Sequence, residues 1–247
     1  VGDASIAIGS AALYTQNSDS NNAVTGNIGI GHAAGFNIST GQNNIVIGYQ
    51  AATSLTTGAS NTVIGHQAFD AAAQDESYNV AIGHGAMGAC DRGDDASCDI
   101  ERNVCIGYNA GLGADLGSSA SIDMYANVAI GMNAMDGTGT VSAAHNVFIG
   151  ENAGGGSWTT AACENNIGIG STSLSGAMNG ANRNHAIGYG ALAAITTGDD
   201  NLAYGNQSAT ALTTGLRNIA FGWRSLYAAD GAETDNIAIG YSALGNL

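Results

Sequence analysis

One nine-residue phrase recurs along the whole chain, and no other feature restricts the fold as strongly. It reads "NIGIGHAAG" at 27–35, "NTVIGHQAF" at 61–69, "NVAIGHGAM" at 79–87 and "NIAIGYSAL" at 236–244. The glycine after the third apolar position serves as an anchor. It stands at 9, 31, 48, 65, 83, 107, 131, 150, 170, 188, 205, 222 and 240, which makes thirteen copies. The shortest spacing is 17 residues, and it is the base period; longer spacings are that period plus insertions. A period of 17 is too short for a helix-pair repeat, which needs more than about 30 residues.

Each column of the repeat has its own chemistry. Four residues before the anchor stands Asn27, Asn44, Asn61, Asn79, Asn103, Asn127, Asn146, Asn166, Asn184, Asn201, Asn218 or Asn236, with Ser5 the exception. Three before is mostly Ile or Val, two before is usually small, and one before is Ile except at Tyr204 and Phe221. Three after is always Ala or Ser. The β-branched, alternating phrase suits a strand, and Gly follows where the chain turns or is approached closely. A second turn signal precedes many strands, as in "TTGAS" at 56–60 and "TTGDD" at 196–200. One strand plus turns in every repeat is one coil of a solenoid. The fold class predicted is all-β: a parallel β-solenoid or β-roll of about 13 coils on a 17-residue base repeat, forming one domain over 1–247. Coils pairing at about 4.8 Å would make a rod of roughly 60 Å. Asn side chains stacked one coil apart are expected to hydrogen-bond along it.

Strand side chains alternate between two faces. The Ile and Val residues share one, and Asn and the small residue share the other. If the Ile face fills the solenoid's own interior, the small, almost uncharged face is left outside, where a solvated face should carry Lys, Glu or Thr. That second face is therefore expected to be covered as well, by further copies in a homotrimer. A wider monomeric solenoid is the alternative.

The phrase N-x-[AV]-I-G-x-x-[AS] resembles the head repeat of trimeric autotransporter adhesins. The 17-residue form, as in "NNIVIGYQAATSLTTGASNTVIGHQAF" at 43–69, resembles repeats of phage tail-fibre proteins more closely. The likeness covers Ser5 to Leu244. It implies a left-handed, trimeric β-roll, although the period here is longer than in the adhesin heads.

Composition limits what such a chain does. The formal charge is −15, and the five basic residues are all Arg. That excludes nucleic acid as a partner, because phosphate neutralisation needs Lys and Arg. It also argues against an anionic membrane surface. No stretch approaches the roughly 20 apolar residues of a membrane span, and membrane insertion is not expected. There are 38 Gly and no Pro, and aromatic residues make up 6% of the chain, so a wide core of the enzyme type is not expected. No Ser-His-Asp grouping, phosphate loop or zinc pattern appears. Asp94/Asp95 and Asp199/Asp200 are carboxylate pairs in sequence only. The chain is read as a non-enzyme.

Functional candidates fall into two sets. The residue after the anchor is a ring in eight coils: His32, Tyr49, His66, His84, Tyr108, Tyr189, Trp223 and Tyr241. Such a ladder either stacks on sugar faces or stacks on itself, and no metal site is expected from its histidines. The second set is the insertions, concentrated at 88–165, where solenoids commonly place their working loops. The richest is "CDRGDDASCDIER", with Asp91, Arg92, Asp94, Asp95, Asp99 and Glu101. Trp158 lies in a later insertion. These are read as receptor-contacting residues. The clustered carboxylates leave Ca²⁺ open; no other cofactor is implied. Cys90 and Cys98 bracket the acidic loop and are a disulfide pair if the compartment oxidises. Asn37 and Asn206 are glycosylation sequons.

The reading is an extracellular fibrous protein of a virion or cell surface: the shaft or head of a phage tail fibre or bacterial adhesin. Its partners are other copies of itself and a surface glycan or protein receptor. The second reading is a filament subunit stacking end to end, since the coils begin almost at Val1 and run to Leu247 without a polar cap.

Overall fold

The computed structural model describes residues 4–16, 25–90, 99–113, 123–138, 141–158, 161–228 and 231–246. The chain falls into two compact units, Val1–Ala126 and Asn127–Leu247. Both are parallel β-solenoids, and the described residues contain no helix.

The first unit holds β1 (Ile6–Ile8), β2 (Ile28–Ile30), β3 (Ile45–Ile47), β4 (Thr62–Ile64), β5 (Val80–Ile82), β6 (Ile100–Glu101), β7 (Val104–Ile106) and β8 (Met124–Tyr125). Strands β1 to β5 and then β7 pair in sequence order, all parallel. The second unit holds β9 (Val128–Ile130), β10 (Ala143–Ala144), β11 (Val147–Ile149), β12 (Cys163–Glu164), β13 (Ile167–Ile169), β14 (His185–Ile187), β15 (Leu202–Tyr204), β16 (Ile219–Phe221) and β17 (Ile237–Ile239). There β9, β11 and β13 to β17 pair the same way. About eleven turns result. Register follows the repeat without a slip: Ile45 sits opposite Thr62, Val46 opposite Val63, and Ile47 opposite Ile64. The coils lengthened by insertion use the extra residues for a second short ladder. In it β6 pairs with β8 in the first unit and β10 with β12 in the second.

Three-residue strands close into coils because four residues per repeat take positive φ. In the coil around Gly65 these are Ser60 (60°), Gly65 (149°), Gln67 (50°) and Phe69 (52°). Each left-handed residue turns a corner without a loop, at about 1 kcal/mol for a non-glycine residue. The anchor itself must be Gly. A Cβ at Gly48 would fall on the carbonyl of Gly65, and one at Gly65 on that of Gly83.

The Asn column compensates for this bent backbone. Asn44 Oδ1 accepts from the backbone N of Asn61 at 2.9 Å and from its Nδ2 at 3.0 Å. Asn44 Nδ2 donates to Asn27 Oδ1 at 3.2 Å and to the Gly58 carbonyl at 2.9 Å. The same contacts recur at Asn146, Asn166, Asn184, Asn201 and Asn218. Ser5, the one departure, supplies its Oγ to the backbone N of Asn27 at 3.1 Å. The expected ladder is therefore present, and it is buried.

That burial reverses the expected assignment of faces. The Asn column and the small residue at each strand centre point inward, while the flanking Ile and Val point outward: most strands read half-buried, buried, half-buried. The interior is narrow, so the strand centre must be small to admit large residues from the rest of the coil. Ile38, Leu55, Phe69 and Met87 fill it in the first unit, and Met178, Leu192, Ile195 and Leu212 in the second. At β11 the sizes are exchanged. Phe148 occupies the small position, and Gly154 and Gly168 make room for it; a Cβ on either would stand within 2.8 Å of its ring. Where Ser replaces Ala after the anchor, its hydroxyl donates to the anchor carbonyl, as in Ser208 to Gly205 at 3.1 Å.

Candidate binding surface

The outward face is built from rows two residues apart along each coil. The first two rows are the Ile and Val of the strands. They are half-buried in most coils, and Ile45 and Ile219 are 37% exposed and Phe221 54% exposed. No row of charge interrupts them, although His185 enters the first.

The ring row follows, just past the anchor. In the first unit it forms a continuous stack of His32, Tyr49, His66, His84 and Tyr108. Successive centroids lie 5.2, 5.1, 4.8 and 5.2 Å apart, and planes differ by 20° at most. In the second unit Trp223 stacks on Tyr241 at 4.7 Å. The ring faces within the stacks are thus taken up by one another, and their edges meet solvent. Tyr189 differs: its neighbours in the row are Ser171 and Asn206, so both its faces lack a ring partner, and it is 54% exposed. Beside the stack, burial raises the carboxyl of Asp70 above the usual aspartate range, opposed by a hydrogen bond from its own backbone and by His66.

A polar row flanks the first Ile row, at the positive-φ residue before each Asn. In the second unit it alternates in sign. Arg183 clamps Asp200 with Nε at 2.6 Å and Nη2 at 3.0 Å, and Arg217 clamps Asp235 at 2.6 and 2.9 Å. Hydrogen bonds from the guanidinium groups hold the carboxyls of Asp200 and Asp235 below the usual range. Asp199, the other member of the sequence pair, lies 3.5 Å from Arg183. In the first unit Arg102 in this row lies over the rings of Tyr78 and Tyr125.

The insertion residues divide. Asp91, Arg92, Asp94, Asp95 and Cys98 lie outside the described residues, and with them the acidic loop, its Ca²⁺ reading and the Cys90–Cys98 pairing. Asp99 is exposed, and its N–H donates to the Asp123 carboxylate at 2.9 Å. Glu101 pairs with Arg102 at 3.2 Å. Cys90 is buried, with Sγ 3.3 Å from the Gly111 carbonyl. Trp158 is corrected: it is fully buried, edge-on to Phe148 at 5.8 Å, and fills the interior rather than facing a receptor. It stands eight residues after the Gly150 anchor, in the inward column that Ile38, Leu55, Met178, Ile195 and Leu212 fill in other coils. Cys105 stands in the small inward column, where burial pushes its thiol up to about 12.

Sequence reading found the ring row and the Asn row, but not the Ile rows as surface or the charged row beside them. The latter had a signal: Arg102, Arg183 and Arg217 all directly precede a ladder Asn. The described residues hold no group of three His, Cys, Asp or Glu suited to a metal ion. Nor do the described residues contain a helix long and apolar enough to cross a membrane.

These features define a parallel β-solenoid repeat protein with an apolar, ring-edged outer face. No family model matches the chain, and no curated protein or solved structure shows significant similarity to it.

Proposed function

We propose that the chain is a structural segment of an extracellular attachment fibre, the shaft or head of a phage tail fibre or a surface adhesin. Several copies associate through the outward Ile face. The observation that carries this reading is the pair of Ile and Val rows, repeated coil after coil on the outside of the core and only half-buried. Apolar patches of more than a few hundred Å² are rare on monomers and mark interaction sites. A second copy suits this surface, since each coil offers the same uncharged residues at the same spacing. The polar row beside it supplies the rim that such interfaces carry. Three copies winding left-handedly about one axis, as the repeat's resemblance implies, would bury all the rows at once. Reach and rigidity are what in-register coils provide. Receptor contact falls to the insertions within 88–165.

The test is a double substitution on the outer face, Ile47→Lys with Ile64→Lys. These side chains lie opposite each other on adjacent strands and outside the core. Negative-stain electron microscopy and far-UV circular dichroism would compare it with the parent. The fibre reading expects uniform multi-chain particles from the parent, and from the variant loss of those particles with its β-signal intact. Unchanged particles in the variant would refute association through this face.

A further inference from the structure

Among the described residues, Arg102, Arg183 and Arg217 each have a carboxylate partner. Arg224 has none. It stands two residues after the Gly222 anchor at a positive-φ corner (52°), which turns its side chain along the flank of the coil. There its guanidinium carbon lies 3.8 Å from the ring centroid of Tyr227 and 4.9 Å from that of Trp223. Its Nε is buried without a hydrogen-bond partner. A cation held against two rings in this way is fixed in place, and its terminal nitrogens remain to bind something. In a chain of formal charge −15, with every other described Arg neutralised by an acid, an unneutralised guanidinium is conspicuous.

The surroundings indicate what it takes. Arg224 and Tyr227 line a cleft of about 220 Å³ together with Ala228, Ser242, Gly245 and Asn246. That is below the roughly 300 Å³ at which drug-sized sites begin, so it admits one small ring. Ser242 and Asn246 offer a hydroxyl and an amide at its edge. A guanidinium fork matches a planar carboxylate through paired N–H···O bonds. Hydroxyl and amide groups match sugar hydroxyls.

We infer that the Arg224 corner binds the carboxylate of an acidic monosaccharide unit, of the uronic acid type. The carboxylate is received end-on by the terminal Nη atoms of Arg224, because Nε is enclosed between the rings. The choice of a sugar rests on the attachment reading above; the anion preference does not.

Trp223 provides the readout. It is one of two tryptophans, and the other, Trp158, is buried in the core. The full chain would be titrated with glucuronic acid, glucose, acetate and sulfate at constant pH and ionic strength, following Trp223 emission. A Trp223→Phe variant identifies the signal. Saturable binding of glucuronic acid is expected, at least about tenfold tighter than glucose or acetate. It should weaken at least tenfold in both Arg224→Gln and Arg224→Lys, since the second keeps the charge but loses the fork. Arg217→Gln should leave it unchanged. Circular dichroism confirms that each variant is folded. No saturable response to glucuronic acid, an equal response to acetate or sulfate, or an unchanged response in the Arg224 variants would each overturn the assignment. The mass of the same sample is measured alongside, so a monomer that binds glucuronic acid refutes the fibre and keeps the site. A multi-chain particle that does not bind it refutes the site alone.

Discussion

The inward Asn does two jobs at once. It ties consecutive coils together and satisfies turn carbonyls that the narrow interior would otherwise leave unpaired. Replacing Asn44 by Ala orphans the buried N–H of Asn61 and the Gly58 carbonyl. Each unsatisfied buried group costs about 1–3 kcal/mol, so Asn44→Ala is expected to cost about 2–6 kcal/mol in urea unfolding, whereas Ser is the least damaging substitute, as Ser5 shows. Asp70 gives a pH dependence. Its folded value is raised by burial, so the stability tied to its neutral form is full below the unfolded value of 3.8 and is lost as pH rises through the folded value. Asp70→Asn should thus gain on the parent as pH climbs out of the acid range. A stability difference that stayed flat with pH would contradict the shift. At this scale the sequence was informative about the ladder, because identical residues at one period leave little else to infer. It did not reveal which face was inside. Alternation separates two faces without labelling them, and Ile is the usual core residue. The useful clue was that Asn shares a face with the smallest residues: a hydrogen-bonded Asn row needs a dry environment, and a narrow interior needs small strand centres.

Along an element, the strands are uniform and the core around them is adjusted by exchange of size. The Phe148, Gly154 and Gly168 group shows it most clearly. Phe148→Ala removes a buried ring and should cost about 3–5 kcal/mol. Gly168→Ala should destabilise the parent strongly and the Phe148→Ala background far less, because the added methyl then enters the space the ring has left. Chemical denaturation of the four proteins measures the coupling; additive effects would mean that the two sites do not share the space. The coil period and strand positions were legible from "NVFIG" and its relatives. The burial of Trp158 was legible too, because it stands eight residues after the Gly150 anchor, in the apolar column of Ile38, Leu55, Met178, Ile195 and Leu212; assigning it to an insertion hid that.

For the whole molecule, the reversal of faces changes where partners are sought. The sequence points to a homotrimer through a small face placed outside. The structure instead leaves the Ile and Val rows there, and these are more apolar and a stronger reason for association. Cys105 offers an independent check on the interior. With its thiol raised to about 12 and fully enclosed, it should react with a thiol reagent at neutral pH only as fast as the coil opens, and denaturant should accelerate labelling in step with global unfolding. Rapid native-state labelling would place the small column at the surface. The association itself is decided most directly by sedimentation equilibrium of the unmodified chain at neutral pH. The outward Ile face predicts a discrete assembly at three times the 24.5 kDa chain mass. A species that stays at 24.5 kDa throughout the micromolar range would show that these rows face solvent alone, and would contradict the fibre.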